Sequence, residues 1–157
     1  MDIPAILISQ YHASLEMLKQ TITRCPELLW NSPGDKAKFW HIAYHALFYT
    51  HLYLQDSEQT FTPWIKHRDG SEDFEPPQIG EPYNRDTILE YLAFCQQEVA
   101  ERVPRLNLEE GFNGRPYTKL ELQIYSIRHL MQHTGELMER LGAQTQAHID
   151  WVGSKHG

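Results

Sequence analysis

Cysteine is scarce in this chain: Cys25 and Cys95 are the only two in 157 residues. Two cysteines cannot make a disulfide framework, and two free thiols in a reducing cytosol are expected. Long apolar runs are missing too. No stretch approaches the roughly 18–20 residues that a membrane span needs. The opening segment from Met1 to Gln10 has no positive leader region, so no secretory signal peptide is expected. Positive charge is in deficit: Lys plus Arg total 14 against 21 for Asp plus Glu, a formal charge of -7. An acidic chain without a basic stripe is a poor partner for nucleic acid or for an anionic membrane. These absences lead to the expectation of a cytoplasmic protein that has neither as a partner.

Several catalytic signatures are also absent. There is no Cys-x-x-Cys and no His-Glu-x-x-His, so neither a zinc ribbon nor a zincin metalloprotease is encoded. The Glu-x-x-His pairs of di-iron carboxylate bundles are missing. No Gly-x-Ser-x-Gly elbow and no phosphate-cradling glycine loop occurs. Covalent haem attachment through Cys-x-x-Cys-His is excluded as well, and nothing else favours a bis-histidine haem.

What the chain does have is histidine. Nine are spread from His12 to His156, a count that raises the prior for metal or acid–base chemistry. The hydrophobic fraction is 41%, and the length suits one domain over 1–157 with a real core.

Apolar periodicity predicts four helices. In the first, over about 3–24, Leu7, Tyr11, Leu15, Leu18 and Ile22 recur at helical spacing, and Pro26 ends it. The second, over about 33–55, has Ser32 as N-cap, Pro33 at the first helical position and Asp35 behind it. Phe39, Ala43, Tyr44, Leu47, Phe48, Leu52 and Leu54 spread around most of its circumference, so it is expected to be buried. The third, over about 85–103, opens at Asn84, carries the stripe Ile88, Leu92, Cys95, Val99 and Val103, and stops at Pro104. Cys95 inside that stripe reads as a small core residue. The fourth, over about 118–141, begins with the capping box Thr118-x-x-Glu121 and is expected to end at Gly142. Beyond it, the pair Trp151-Val152 is expected to dock.

The connection over 56–83 is rich in Pro, Gly, Asp, Glu and Ser, with turn signals at Pro63, Gly70, Pro76, Pro77, Gly80 and Pro82. Connections of this length are uncommon in compact domains and are often functional. Phe61, Trp64, Ile65 and Phe74 are placed either to pin it to the helices or to cover a cleft. Four helices with almost no strand signal predict an all-α four-helix bundle. The long connection between the second and third helices suits a crossover topology.

His129 and His133 lie at i and i+4, one above the other on one face of the fourth helix. Two imidazoles so placed can share one metal ion, each at roughly 2.0–2.1 Å for zinc. Their face also holds Tyr125, Gln132, Glu136 and Arg140, and it adjoins an apolar arc of Ile127, Leu130, Met131, Leu137, Met138 and Leu141. By periodicity a ligand pair and a solvated polar face fit equally. On the second helix His45 has the apolar neighbours Phe48, Leu52 and Ile42. A buried neutral imidazole needs a partner at each nitrogen. A metal plus one hydrogen bond would supply both, and so would a carbonyl plus a water. His41 and His45 form a second i, i+4 pair, so either could be a third ligand. His51 points elsewhere, and His12, His67, His148 and His156 read as surface residues.

The segments Phe39-Trp-His-Ile-Ala-Tyr-His45-Ala-Leu-Phe-Tyr and Leu122-Gln-Ile-Tyr-Ser-Ile-Arg-His129-Leu-Met-Gln-His133-Thr-Gly-Glu-Leu resemble the two halves of the DinB-like (DinB/YfiT) superfamily. The resemblance implies a crossover four-helix bundle and a divalent metal, Zn2+ or Ni2+, held by His45, His129 and His133. Gln132 stands where the most similar subfamily often has a further histidine. Members of the superfamily include thiol S-transferases that use low-molecular-weight thiols and a thiol-dependent isomerase. A metal-dependent thiol S-transferase or hydrolase, acting on a small molecule and assembled as a homodimer, is therefore one expectation. A non-catalytic metal- or ligand-binding bundle, or a metal-free dimeric interaction module, is the alternative. In the enzyme reading the candidate catalytic residues are Glu136, one turn beyond His133, which could orient a ligand or take a proton, and Tyr49, a turn beyond His45, which could donate a hydrogen bond. Glu136 could equally pair with Arg140 at i+4.

Overall fold

A computed structural model describes residues 1–75 and 80–156. Among them the chain is all-helical. Its elements are α1 (Ile3–Arg24), the single turn α2 (Glu27–Trp30), α3 (Phe39–Tyr53), α4 (Arg85–Arg102) with a 3-10 turn Val103–Arg105, and α5 (Lys119–Gln144). No strand is formed among the described residues, only the isolated bridges Ser57–Asn113 and Gly111–Thr118. No described helix is long and apolar enough to cross a membrane.

Local chemistry explains most of the boundaries. Asp2 Oδ1 accepts from the Ala5 amide at 3.0 Å and starts α1. Asn84 Oδ1 does the same for Thr87 at 2.8 Å on α4, and Thr118 Oγ1 for Glu121 at 3.2 Å on α5. Each satisfies one amide that the first helical turn leaves without a carbonyl. Thr118→Ala is expected to cost about 1 kcal/mol. Urea denaturation would read this as a lower midpoint at unchanged slope.

The second predicted helix begins later than expected. Ser32, Pro33 and Asp35 do not open it; α3 starts at Phe39. The Lys38 ammonium donates to the carbonyls of Ser32, Pro33 and Asp35 at 2.9, 3.4 and 2.6 Å, holding them in a turn. The Asp35 carboxylate is drawn to Arg140 on α5 at 3.4 Å instead of capping. At the other end α5 runs through Gly142 to Gln144 rather than stopping there. The stop is made by Thr145, whose amide and hydroxyl both reach the Leu141 carbonyl, at 2.9 and 2.8 Å.

α3 and α1 both pack against α4 and α5, and α3 also touches α1. α3 is buried along its whole length except at His45 and Tyr49, which share one face. The expected stripe on α4 is buried, and Cys95 lies within it. Burial pushes the Cys95 thiol well above its usual pKa, as it does Cys25, to about 12, so both are inert thiols. Trp151 does not dock: it is 77% exposed. Ala147 and Ile149 pack against the core in its place. Polar ties hold the tail to α1, such as Asp150 N to Gln20 Oε1 at 2.9 Å and Lys155 Nζ to Glu16 Oε2 at 2.7 Å.

The described parts of the connection, 56–75 and 80–83, lie over the α3 and α4 surfaces. Trp64 is buried and stacks on Tyr91 at 4.5 Å, and Phe61 meets the Phe48 and His51 rings edge-on. Ile65, expected either to pin the connection or to cover a cleft, is 92% exposed and lines a cleft on α3 and α4. The turn signals at Pro76 and Pro77 fall outside the described residues.

Candidate metal centre

Packing of α3 against α5 brings His45, His129 and His133 together. His129 Nε2 lies 3.2 Å from His45 Nε2 and 3.2 Å from His133 Nε2. Among the described residues this is the one group of His, Cys, Asp or Glu close enough to hold a metal ion. His133 is buried, and His45 and His129 are half-buried.

The outer nitrogens fix which atom faces inward. His45 Nδ1 donates to the Glu72 carbonyl at 2.6 Å. His133 Nδ1 donates to Glu136 Oε2 at 3.0 Å. A carbonyl and a carboxylate only accept, so both protons sit on Nδ1 and both Nε2 atoms present lone pairs. His129 has at most one hydrogen on Nε2 to set between them. One inward lone pair therefore stays unmatched, and a cation at the centre would satisfy all three. Ligand nitrogens at roughly 2.0–2.1 Å from a tetrahedral ion stand about 3.3 Å apart, close to the two spacings of 3.2 Å that His129 makes, and the three ligand nitrogens all lie within 4.8 Å of one another. The donor set fits a metal ion.

Electrostatics agree. Burial lowers the His45 and His129 pKa values to about 4, and the neighbouring imidazoles push in the same direction. Both rings are neutral at pH 7, the form that binds metal.

The segment 72–74 forms the outer wall. Glu72 supplies the carbonyl on His45. Asp73 Oδ1 accepts from the Tyr49 hydroxyl at 2.9 Å. The Phe74 ring lies 4.5 Å from His45 and 6.2 Å from His133, so it covers the imidazoles. On the other side Tyr125 stacks parallel to His129 at 6.2 Å, and Tyr49 meets it edge-on at 5.8 Å. Phe74 is the part of this wall that the sequence hinted at. A backbone carbonyl such as that of Glu72 carries no sequence signal at all.

Glu136 is placed on His133 Nδ1, the side away from the other two imidazoles. It does not pair with Arg140, whose guanidinium goes to Asp35 and to the Ala37 carbonyl at 2.8 Å. Tyr49 is near the triad but its hydroxyl points to Asp73. His41 is buried outside the cluster, stacked on Trp40 at 4.9 Å. His51 is buried against Tyr91, whose hydroxyl lies 3.1 Å from Nδ1. His67 is not a surface residue: its side chain is 7% exposed, and Nδ1 lies 2.7 Å from the Tyr44 hydroxyl. A histidine in an irregular loop has no periodicity from which burial could be read. His148 and His156 are exposed as expected, and His12 is partly buried.

No family model, no characterised protein and no solved structure matches the chain. Fold and site together define an all-helical protein whose three-histidine cluster is able to hold one metal ion.

Proposed function

We propose that this chain is a DinB-like protein, a crossover four-helix bundle that binds Zn2+ or Ni2+ through His45, His129 and His133. Its reaction is transfer or hydrolysis on a small molecule, with a low-molecular-weight thiol as the favoured co-substrate class. The observation that carries the reading is the convergence of three Nε2 atoms, two of them stripped of protons by hydrogen bonds behind the rings. The two DinB-like sequence segments supply all three histidines and support the family assignment.

A bound ion would supply a Lewis-acidic charge and, with three protein ligands, a position open to substrate. The chain's own groups do the rest. Glu72 and Glu136 hold two imidazoles in their binding tautomer. Burial and the Asp73 carboxylate raise the Tyr49 pKa, so this hydroxyl keeps its proton at neutral pH and, by donating it to Asp73, ties the 72–74 wall to α3 beside the site. Phe74 and Tyr125 exclude water from the imidazole faces.

Elemental analysis of the purified chain tests the binding, and a thiol-transfer screen tests the chemistry. About one equivalent of zinc or nickel is expected; a metal-free preparation that takes up neither ion would sink the reading. Glu136→Ala is expected to weaken metal affinity about 10–100-fold, the usual cost of losing an outer hydrogen bond to a ligand histidine. Competition with a chromogenic chelator would measure it. A non-catalytic reading is favoured by one observation: the triad joins α3 to α5, so an ion would cross-link the two. A large fall in melting temperature on chelation, with no turnover on thiol and electrophile panels, would select it.

A further inference from the structure

A second cleft, of about 450 Å³, opens on α3 and α4 beneath the 60–65 segment. It is separate from the histidine triad: His51, at its floor, stands six residues and about 9 Å along α3 from His45 and on a different face. The volume falls within the range of small-molecule sites.

The cleft holds an ion pair with unused capacity on both partners. Glu98, whose side chain is 12% exposed, accepts from Arg102 Nε and from Gln55 Nε2 on the same oxygen, Oε2. Its other oxygen has no partner among the described residues. Arg102 is anchored through Nε, which leaves the two terminal nitrogens of its guanidinium without an acceptor among the described residues. That fork is the group that binds a carboxylate through two parallel hydrogen bonds. His51 adds no charge. Its Nδ1 is engaged by Tyr91, and burial holds the ring neutral at pH 7. Asp56 stands at the rim with its side chain out in solvent, where it shares Lys119 with Glu110, at 3.3 and 3.1 Å. Inside the rim the charged groups are Glu98 and Arg102, and these two sum to zero.

A cationic ligand would match Glu98 and face Arg102 unfavourably, and an anion would do the reverse. A ligand with both charges a short distance apart satisfies both. The remaining wall sets the apolar and aromatic side chains of Phe94, Trp64, Pro63 and Ile65 beside the polar Thr60 and Thr62. Ile65 is almost fully exposed beside this cleft, an apolar side chain with nothing among the described residues to cover it.

We propose that this cleft binds a small zwitterion of the α-amino-acid type with an apolar side group. The ammonium lies at Glu98, the carboxylate at Arg102, and the side group against Phe94 and Ile65.

The test uses the full chain and four probes: L-phenylalanine, L-leucine, phenethylamine and 3-phenylpropanoate. Melting temperature and the indole N–H resonance of Trp64 are followed as each is titrated. The two amino acids are expected to raise the melting temperature with concentration and to shift the Trp64 resonance saturably. The amine and the acid, each lacking one charge, are expected to bind at least about tenfold more weakly. Glu98→Gln and Arg102→Gln should each weaken L-phenylalanine by a similar factor, while His129→Ala should leave it unchanged. No saturable shift with either amino acid overturns the proposal. So does phenethylamine or 3-phenylpropanoate binding as tightly as L-phenylalanine, an Arg102→Gln variant that binds normally, or loss of binding in His129→Ala. The probe series on the unaltered protein decides the matter even where a variant fails to fold.

Discussion

His129→Ala is expected to purify with almost no bound metal, while His41→Ala retains it in full. His129 is the middle imidazole: its Nε2 is 3.2 Å from both of the others. Removing it leaves His45 and His133 on separate helices with no nitrogen between them. Two monodentate ligands rarely hold an ion without a third. The loss should exceed the about 10–100-fold that follows from losing an outer partner such as Glu136. His129 is half-buried rather than central to the core, so the variant should keep its helical circular dichroism and its monophasic melt. His41 is the informative control, because it shares α3 with His45 one turn away and is as buried as a ligand would be. Its ring stacks on Trp40 and meets Phe74 edge-on, outside the cluster. His45→Ala should behave like His129→Ala. Elemental analysis of the three variants beside the parent measures this directly. Full occupancy in a His129→Ala, His133→Ala double variant would remove the site, and loss in His41→Ala with retention in His45→Ala would move it one turn along α3.

The parts of the fold that could be read from sequence are those decided within a few residues. Asn84 and Thr118 cap the helices they precede, because an N-cap oxygen needs only the amide three residues on. The α4 stripe and the buried circumference of α3 follow from side-chain spacing alone. The structure departs from the local signal where another group outbids it. Asp35 has the position of a helix-opening residue but pairs with Arg140, 105 residues away. Gly142 has the chemistry of a stop, yet the Thr145 hydroxyl holds the next turn closed. The site divides in the same way. His129 and His133 are a local pattern, ambiguous by itself because their face is polar. What distinguishes them from surface histidines is contact with α3 and with the 72–74 segment. Those contacts depend on a backbone carbonyl and on a loop with no periodicity. Sequence could name the three histidines only by resemblance. The groups that fix two tautomers are a carbonyl, which no residue type encodes, and Glu136, whose place one turn beyond His133 is visible in the sequence while its bond to Nδ1 is not.

Acidification should destabilise the protein steeply between pH 6.5 and 4, and His51→Gln should remove a large part of that slope. His51 is buried among Phe61, Tyr91 and Phe94, and burial lowers its pKa to about 4 from an ordinary value of 6.5. Glu98 opposes that shift, and Arg102 reinforces it. In the unfolded chain the ring recovers its ordinary value. Below pH 6.5 the unfolded state then takes up a proton that the folded state refuses, so stability falls as pH falls. The loss ends near pH 4, where the folded ring is protonated as well. A gap of this size corresponds to about 3 kcal/mol for one group, a substantial share of the roughly 5–15 kcal/mol that holds a domain folded. His45 and His129 are lowered similarly, but they are present in both proteins and cancel in the comparison. Glutamine removes the titrating group and keeps a polar side chain beside the Tyr91 hydroxyl, at the cost of some packing that does not vary with pH. Urea denaturation of both proteins without metal, at several values between pH 7.5 and 4, separates the two effects. The difference between variant and parent should be largest at neutral pH and shrink by up to about 3 kcal/mol toward pH 4. Parallel curves would show that His51 takes up its proton as readily in the folded protein as in the unfolded chain.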